Sequence, residues 1–189
     1  RLLEDQYPRI HRALDREIIS DASLLYRWRG SNLEQPAVLF AAHMDVVPAD
    51  PSTLDQWTHP PFSGTIDEEF VWGRGTLDIK GQITALMDAV EYLIGQGFKP
   101  ERTIYLAFGQ DEETGGQNGA AEIVNYLQAR GETLEAVLDE GGGITEGELP
   151  NVEGMVAMVG NAEKGYLTLT VTAHAKPGHS ARPADTTAI

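Results

Sequence analysis

The 189-residue sequence contains no cysteine and has few basic residues, and both shortages narrow its function. Without cysteine the chain forms no disulfides and offers no thiolate ligands, so any bound metal must be held by histidine and carboxylate groups. The chain has 14 Lys and Arg against 29 Asp and Glu, which gives a formal net charge of -15. Binding of nucleic acid requires a basic face for the phosphates, so we expect no nucleic-acid partner.

Long apolar runs are also missing. The longest run, residues 37–42, is far shorter than the ~18 residues that a membrane-spanning helix needs, so we expect no membrane segment in this stretch. No signal peptide is recognisable, although the chain begins at Arg1 rather than at a methionine. The expected location is therefore cytoplasmic.

Hydrophobic periodicity predicts alternating strands and helices. The predicted strands are residues 23–28, 37–42, 70–72, 103–108 and 135–138, and the predicted helices are residues 4–19, a segment after Asp78 closed by Gly95, and residues 120–129. This alternation is typical of an α/β fold with a mainly parallel sheet flanked by helices.

The pattern changes from about Glu163. Residues 166–174 alternate strictly between apolar and polar side chains, which is typical of a half-exposed strand in an antiparallel sheet. We therefore predict a first domain over residues 1–162 and the beginning of a second domain at residues 163–189.

One histidine and several acidic residues follow directly on predicted strands. His43, the pair Glu112-Glu113 and Asp139 each lie at or just beyond the end of a different strand. The carboxyl ends of parallel strands meet at one edge of a sheet, and ligands bind in the crevice outside that edge. We therefore expect these side chains to lie close together.

A glycine-rich stretch holds one further carboxylate, Asp78. Two zinc ions about 3.5–4 Å apart need a shared ligand, and a carboxylate can bridge them with its two oxygens. His43 and Asp139 can complete one metal, and Glu113 can join Asp78 on the other. Asp45 stands where it can accept the other imidazole N–H and fix the tautomer. The pattern predicts a two-metal hydrolase centred on Asp78.

The adjacent residues Glu112 and Glu113 can have two different roles in such a site. One carboxylate can bind metal, while the other, not ligated, can move protons as a general base. The residues by themselves leave open which glutamate has which role.

Five motifs, in this order, resemble the dizinc metallopeptidase family of glutamate carboxypeptidases, aminoacylases, desuccinylases and carboxypeptidase S. They are His43-Met44-Asp45, Gly73-Arg74-Gly75 through Asp78-Ile79-Lys80-Gly81, Asp111-Glu112-Glu113, Asp139-Glu140-Gly141-Gly142 and Gly178-His179-Ser180. The fourth motif, together with Glu163-Lys164-Gly165, looks most like the branch that holds carboxypeptidase S and the N-fatty-acyl-amino acid synthase/hydrolase.

The resemblance implies a zinc-exopeptidase-like catalytic domain with two zinc ions, which cobalt or manganese can replace. His43, Asp78 and Asp139 would hold one zinc ion, and Asp78 and Glu113 would hold the other. The peptide bond between Asp78 and Ile79 would be cis.

The resemblance also implies catalytic roles. Glu112 would be the general base that takes a proton from the attacking water and returns it to the leaving nitrogen, and Asp45 would orient His43. His179, in an α+β lid or dimerisation domain with an antiparallel sheet, would reach the partner subunit's active site and stabilise the oxyanion. We therefore expect a homodimer formed through the lid domain.

The implied reaction is hydrolysis of an amide bond adjacent to a free carboxylate, in a small peptide or an N-acyl amino acid. The family's last zinc ligand is a histidine that would follow the end of this sequence, so we expect the 189-residue chain alone to be inactive. Two alternatives remain: a dizinc aminopeptidase, and a non-catalytic binding module of the same fold. The presence of Glu112 argues against the module.

Overall fold

The computed structural model describes residues 1–162 and 164–174. The chain separates into two compact units, residues 1–141 and residues 142–189. The predicted domain boundary at residue 162 remains a prediction. In the described part of the chain, no helix is long and apolar enough to cross a membrane.

The first unit consists of helices and strands that alternate over most of its length. In chain order these are α1 (Leu2–Gln6), α2 (Pro8–Ala13), β1 (Asp15–Ile19), β2 (Ser23–Trp28), β3 (Ala37–His43), β4 (Thr65–Ile66), β5 (Val71–Trp72), α3 (Gly81–Gly95), β6 (Ile104–Gly109), α4 (Ala120–Ala129) and β7 (Leu134–Leu138).

The predicted helix over residues 4–19 is wrong in its second half. Pro8 begins a new helix at its first turn, where its missing N–H costs nothing. Residues 15–19 then form β1, which pairs antiparallel with the whole length of β2. Pairing with a neighbouring strand has here overridden a helical pattern, which local periodicity alone cannot reveal.

A five-stranded mixed sheet in the order β1-β2-β6-β3-β7 forms the centre of this unit. β3 lies between β6 and β7 and is parallel to both, while β2 is antiparallel to β6. The α/β fold class with parallel strands flanked by helices is therefore confirmed. Because β3, β6 and β7 run in the same direction, their carboxyl ends lie at one edge of the sheet.

Helices cover both faces of this sheet. On one face, Ile83, Met87 and Val90 of α3 pack with α2 and with Leu106 and Phe108 of β6. On the other face, α4 contributes Ile123 and Leu127, which pack against β3 and against the alternate side chains of β6, Tyr105 and Ala107. A strand buried on both faces reads as a continuous apolar run, as β3 and β6 do.

The connection between β3 and α3 carries a turn at Pro51–Gln56 and the short antiparallel pair β4–β5. The chain then enters the glycine-rich stretch that holds Asp78. A second short turn, Glu112–Thr114, follows β6. Both connections leave the sheet at the carboxyl ends of parallel strands.

The second unit contains an antiparallel pair of short strands, β8 (Ile144–Glu146) and β9 (Met155–Ala157). The strand predicted at residues 166–174 is not formed. These residues have no regular secondary structure, and side chains such as Tyr166 and Val171 are exposed, so no apolar face of a strand is buried here. His179, predicted to reach a partner's active site, lies outside the described residues.

Candidate metal centre

His43 is the buried centre of a cluster of carboxylates. It ends β3 opposite Gly109 of β6, and only 2% of its side chain is exposed. Its Nδ1 lies 3.1 Å from the carbonyl oxygen of Asp45 and 3.3 Å from the Asp45 Oδ1. An N–H on Nδ1 donates to these oxygens, which directs Nε2 away from them and fixes the orientation of the ring.

The Nε2 atom of His43 faces three carboxylates. It lies 3.0 Å from Asp78 Oδ1, 3.5 Å from Glu140 Oε1 and 3.9 Å from Glu112 Oε2. The potential ligand atoms form two sets, and within each set all of them lie within 4.8 Å of one another. One set is His43 with Asp78 and Glu113, and the other is His43 with Glu112 and Glu140. Four chain segments thus converge on one imidazole.

The glycine-rich stretch presents Asp78 to this cluster. Gly75 has φ +84°, and its backbone is so close to Val46 that an added Cβ would lie 2.5 Å from the Val46 Cγ1. The Lys80 ammonium donates a hydrogen bond of 2.8 Å to the carbonyl of Met44, which joins the stretch to the end of β3. The peptide bond between Asp78 and Ile79 is cis, as expected.

Asp45 holds the turn that carries the two glutamates. Its Oδ1 accepts the backbone N–H of Glu112 at 3.1 Å, and its Oδ2 accepts that of Glu113 at 3.0 Å. Glu113 in turn accepts the backbone N–H of Val47 through Oε1 at 3.2 Å. A single carboxylate therefore connects the turn after β6 to the chain after β3, in addition to its contact with His43.

The arrangement raises the pKa of two of its members. Burial alone lowers the pKa of His43, but its hydrogen bond to Asp78 and the nearby charges of Glu140 and Asp45 outweigh burial, so the pKa is raised. The pKa of Glu140 is also raised, first by burial and then by the neighbouring carboxylates. Both groups therefore bind a proton more tightly than the isolated side chains do, and a bound cation would compete with those protons.

The predicted residues His43, Asp45, Asp78, Glu112 and Glu113 are brought together by the fold. They come from β3, the glycine-rich stretch and the turn after β6, as the strand-end pattern indicates.

Asp139 is placed differently from the other predicted ligands. It lies beside the site, where its Oδ1 accepts the backbone N–H of Glu140, but it belongs to neither set of converging ligand atoms. Glu140, which the sequence analysis did not name as a site residue, belongs to one of these sets, and Asp139 as a metal ligand stays a prediction. The available signal was the adjacent acidic pair at the end of β7, which parallels Glu112-Glu113.

An apolar cavity of about 220 Å³ borders the cluster. Side chains of β3, β7 and α4, among them Leu39, Val137 and Ile123, line it together with His43 and Glu112. The polar cluster around His43 therefore borders an apolar cavity, a combination that is usual in ligand pockets.

The donor set fits a divalent cation. A buried imidazole nitrogen and several carboxylate oxygens are the ligands that zinc accepts where cysteine is absent. Like charges so close together are costly without a compensating cation, and the ammonium of Lys80 is directed at the backbone carbonyl of Met44. A metal held here would balance this charge.

Comparison with known proteins agrees with this geometry. The sequence model of Peptidase family M20/M25/M40 matches residues 39–188. The chain belongs to this family. The family resemblance drawn from the motifs is therefore confirmed, and the relatives below place it in the branch of carboxypeptidase S and the N-fatty-acyl-amino acid synthase/hydrolase.

Relatives of this M20 chain are much longer than it is. It is 43% identical to a probable carboxypeptidase S-like 2 of Dictyostelium discoideum, over 99% of this chain and 36% of that protein. It is 42% identical to carboxypeptidase S of Saccharomyces cerevisiae, over 98% of this chain and 32% of that protein. It is 39% identical to the N-fatty-acyl-amino acid synthase/hydrolase PM20D1 of Xenopus tropicalis, over 93% of this chain and 34% of that protein. The chain spans about a third of the length of these relatives.

Solved structures show the same fold at low identity. Human carnosine dipeptidase 1 matches with a TM-score of 0.61 and 21% identity, over 77% of this chain and 33% of that one. An M20 family metallo-carboxypeptidase from Sulfolobus solfataricus matches with a TM-score of 0.58 and 20% identity, over 75% and 32%.

Proposed function

We propose that this chain supplies the greater part of a dizinc centre that hydrolyses an amide bond adjacent to a free carboxylate, in a C-terminal peptide bond or an N-acyl amino acid. The observation that carries the proposal is the convergence of four carboxylates on the buried imidazole of His43. The names of the relatives, a carboxypeptidase and an N-fatty-acyl-amino acid synthase/hydrolase, support this substrate class.

The proposed ligands are His43, Asp78 and Glu113, with a fourth from the acidic pair at the end of β7. When bound, the metal ions would polarise the scissile carbonyl and lower the pKa of water. Zinc is the proposed metal, and cobalt or manganese would suit the same oxygen and nitrogen donors.

Glu112 is the proposed general base. Its side chain is 55% exposed, so its carboxylate reaches both the solvent and the cluster, 3.9 Å from His43 Nε2. In this role Glu112 takes a proton from the attacking water and gives it to the leaving nitrogen as the amide bond breaks. The carboxylate of Asp45 accepts the backbone N–H of Glu112, which positions that residue, and it also contacts Nδ1 of His43.

The fourth ligand is Asp139 in the sequence-based prediction and Glu140 in the geometry of the site. Measuring bound zinc in Asp139→Asn and Glu140→Gln decides between them. The variant that removes a ligand should retain about one metal instead of two, or bind metal roughly ten- to a hundredfold more weakly, and the other should resemble the parent. Equal loss in both would mean that the pair acts together.

His179, the lid domain, the homodimer and the inactivity of the isolated chain remain predictions. Substantial metal-dependent turnover by the purified 189-residue chain would contradict the last of them.

The decisive experiment compares Glu112→Gln with Glu113→Gln in the whole protein, with metal content and hydrolysis of N-acyl amino acids as readouts. We expect Glu112→Gln to keep both metals and lose activity by roughly a hundredfold or more, whereas Glu113→Gln should lose metal as well. A Glu112→Gln variant as active as its parent would overturn the mechanism. Hydrolysis of C-blocked but not N-blocked dipeptides would indicate an aminopeptidase instead.

A further inference from the structure

Asp78, the proposed shared ligand of two metal ions, is not held firmly by the contact of its own side chain with His43. The side chain of Asp78 is 65% exposed, and its Oδ1 lies 3.0 Å from His43 Nε2. Both side chains are proposed to bind metal, so a bound ion would take the place of this contact. In a site that holds metal, the position of Asp78 must therefore come from the backbone of the glycine-rich stretch.

The backbone of Lys80 closes the turn that contains Asp78. Its N–H donates a hydrogen bond of 2.9 Å to the carbonyl of Gly75. Lys80 is also the residue that caps the start of α3, where its carbonyl accepts the hydroxyl of Thr84 at 2.9 Å. Because Lys80 ends the turn and begins the helix, any displacement of Lys80 carries along Asp78, which lies two residues earlier.

The side chain of Lys80 reaches from this turn to the end of β3. Its Nζ donates a hydrogen bond of 2.8 Å to the carbonyl of Met44, the residue directly after His43. It passes over Gly75, where an added Cβ would lie 3.0 Å from Nζ and 3.5 Å from Cδ. Met44 is itself held, because its N–H donates to the carbonyl of Gly109 at 2.8 Å. The ammonium therefore joins the turn to a fixed point beside His43.

The charge of Lys80 and its hydrogen bond have opposite effects on metal binding. Through its charge, an ammonium repels a cation that binds close by and weakens its binding. Through its hydrogen bond, Lys80 keeps Asp78 and His43 together before metal arrives, and preorganised ligands bind more tightly than ligands that must first be brought together. The sign of the change in metal affinity on removal of the ammonium therefore shows which effect dominates.

We propose that Lys80 is a positioning residue that holds Asp78 beside His43 in the arrangement that binds metal. The proposal rests on the proposed function, since it concerns the same metal centre. The apparent affinity of a site is reduced by the fraction of molecules whose ligands are in the binding arrangement. Without the bond to Met44, the glycine-rich backbone has other conformations open to it, so a smaller fraction of the metal-free protein is ready to bind.

The test measures the zinc affinity of the whole protein with Lys80→Met, by competition with a chromophoric chelator. Methionine has a flexible stem of similar length but no N–H to donate. Zinc affinity should fall by about three- to tenfold, the range that the loss of one hydrogen bond allows. With cobalt in place of zinc, the visible absorption bands, which report the geometry of the ligands, should change as well. Lys80→Arg restores a charged donor and should recover most of the affinity.

Lys99→Met is the matched control, because Lys99 is exposed after α3 and its substitution changes the net charge by the same amount. It should leave the zinc affinity and the cobalt spectrum unchanged. The bond from Lys80 to Met44 is exposed, so metal-free Lys80→Met should unfold at nearly the same denaturant concentration as the parent. Lys80→Gln serves if Lys80→Met does not fold. Its side chain is one atom shorter, so its zinc affinity should fall as well.

Unchanged or higher zinc affinity in Lys80→Met would overturn the proposal, and a higher affinity would mean that the ammonium acts through its charge. A fall in affinity that Lys80→Arg does not recover, or that comes with an equal loss of stability in the metal-free protein, would assign Lys80 a structural role and overturn the proposal as well. A parent that binds no zinc would refute the proposed metal centre itself, and this inference with it.

Discussion

Replacement of Asp45 by asparagine tests the inner organisation of the site. The two oxygens of Asp45 accept the backbone N–H groups of Glu112 and Glu113 at 3.1 and 3.0 Å, and Oδ1 also lies 3.3 Å from His43 Nδ1. Asparagine has the same shape but only one acceptor oxygen. In either orientation of the amide, its NH₂ group must face a backbone N–H, so one donor loses its partner and meets another donor.

The expected loss follows from the number and kind of bonds. One hydrogen bond to a charged acceptor contributes about 1.5–3 kcal/mol to stability. Because the side chain of Asp45 is only 20% exposed, water can make few hydrogen bonds in place of the one that is lost. This loss should appear as a displaced Glu112–Glu113 turn. Because Glu113 is a proposed ligand, zinc affinity should fall by about ten- to a hundredfold, as it does when groups that orient metal ligands are removed.

Competition with a chromophoric chelator measures this affinity, and circular dichroism checks that the variant is folded. Asp50→Asn is the control, because Asp50 also accepts a backbone N–H, from Ser52 at 2.8 Å, but in the exposed turn that begins at residue 51. It should bind zinc as the parent does. Unchanged zinc affinity in Asp45→Asn would refute the inference that this carboxylate organises the turn.

Three further perturbations test the fold and the charges of the site. Gly75→Ala should destabilise the protein by about 2–5 kcal/mol in chemical denaturation, since it combines a left-handed backbone conformation with a methyl 2.5 Å from Val46. Glu91→Gln should destabilise it by roughly 1–3 kcal/mol in the same assay, because its carboxylate accepts two backbone N–H groups at the start of α2. Zinc binding near neutral pH should release protons, because the pKa values of His43 and Glu140 are raised.

Controls for the first two substitutions are available in the chain. Gly97 also has a positive φ, +76°, but an added Cβ would meet nothing within 4 Å, so Gly97→Ala should cost only about 1–2 kcal/mol. A Gly75→Ala variant no less stable than Gly97→Ala would contradict the packing argument. Glu101→Gln, an exposed residue after α3, is the control for Glu91, and equal stability of the two variants would contradict the assigned role of Glu91.

The sign of the pH dependence follows from the two raised pKa values. The unshifted values are 6.5 for His43 and 4.5 for Glu140, and in each case the folded protein holds its proton to higher pH than the unfolded chain. Without metal, the stabilisation from protonated His43 is therefore full below pH 6.5 and is lost as pH rises through its folded pKa. The ionised Glu140 destabilises the fold above pH 4.5. Equal binding heats in buffers of different ionisation enthalpy would refute proton release.

Local pattern was sufficient for most of the fold. The strands at the centre of the sheet and helices α3 and α4 were predictable, because alternation and helical spacing are properties of neighbouring residues. The grouping of His43 with Glu112 and Glu113 was also predictable, since parallel strands bring their carboxyl ends to one edge. By itself, then, the sequence determined which segments supply the site.

Tertiary structure decided what depends on pairing and on the direction of single side chains. Residues 15–19 became a strand because they pair with β2, although the predicted helix extended over them. The pairing of β7 with β3 is irregular near Ala37 and Val38. A shift of one residue exchanges the two faces of a strand, and no local pattern reports it.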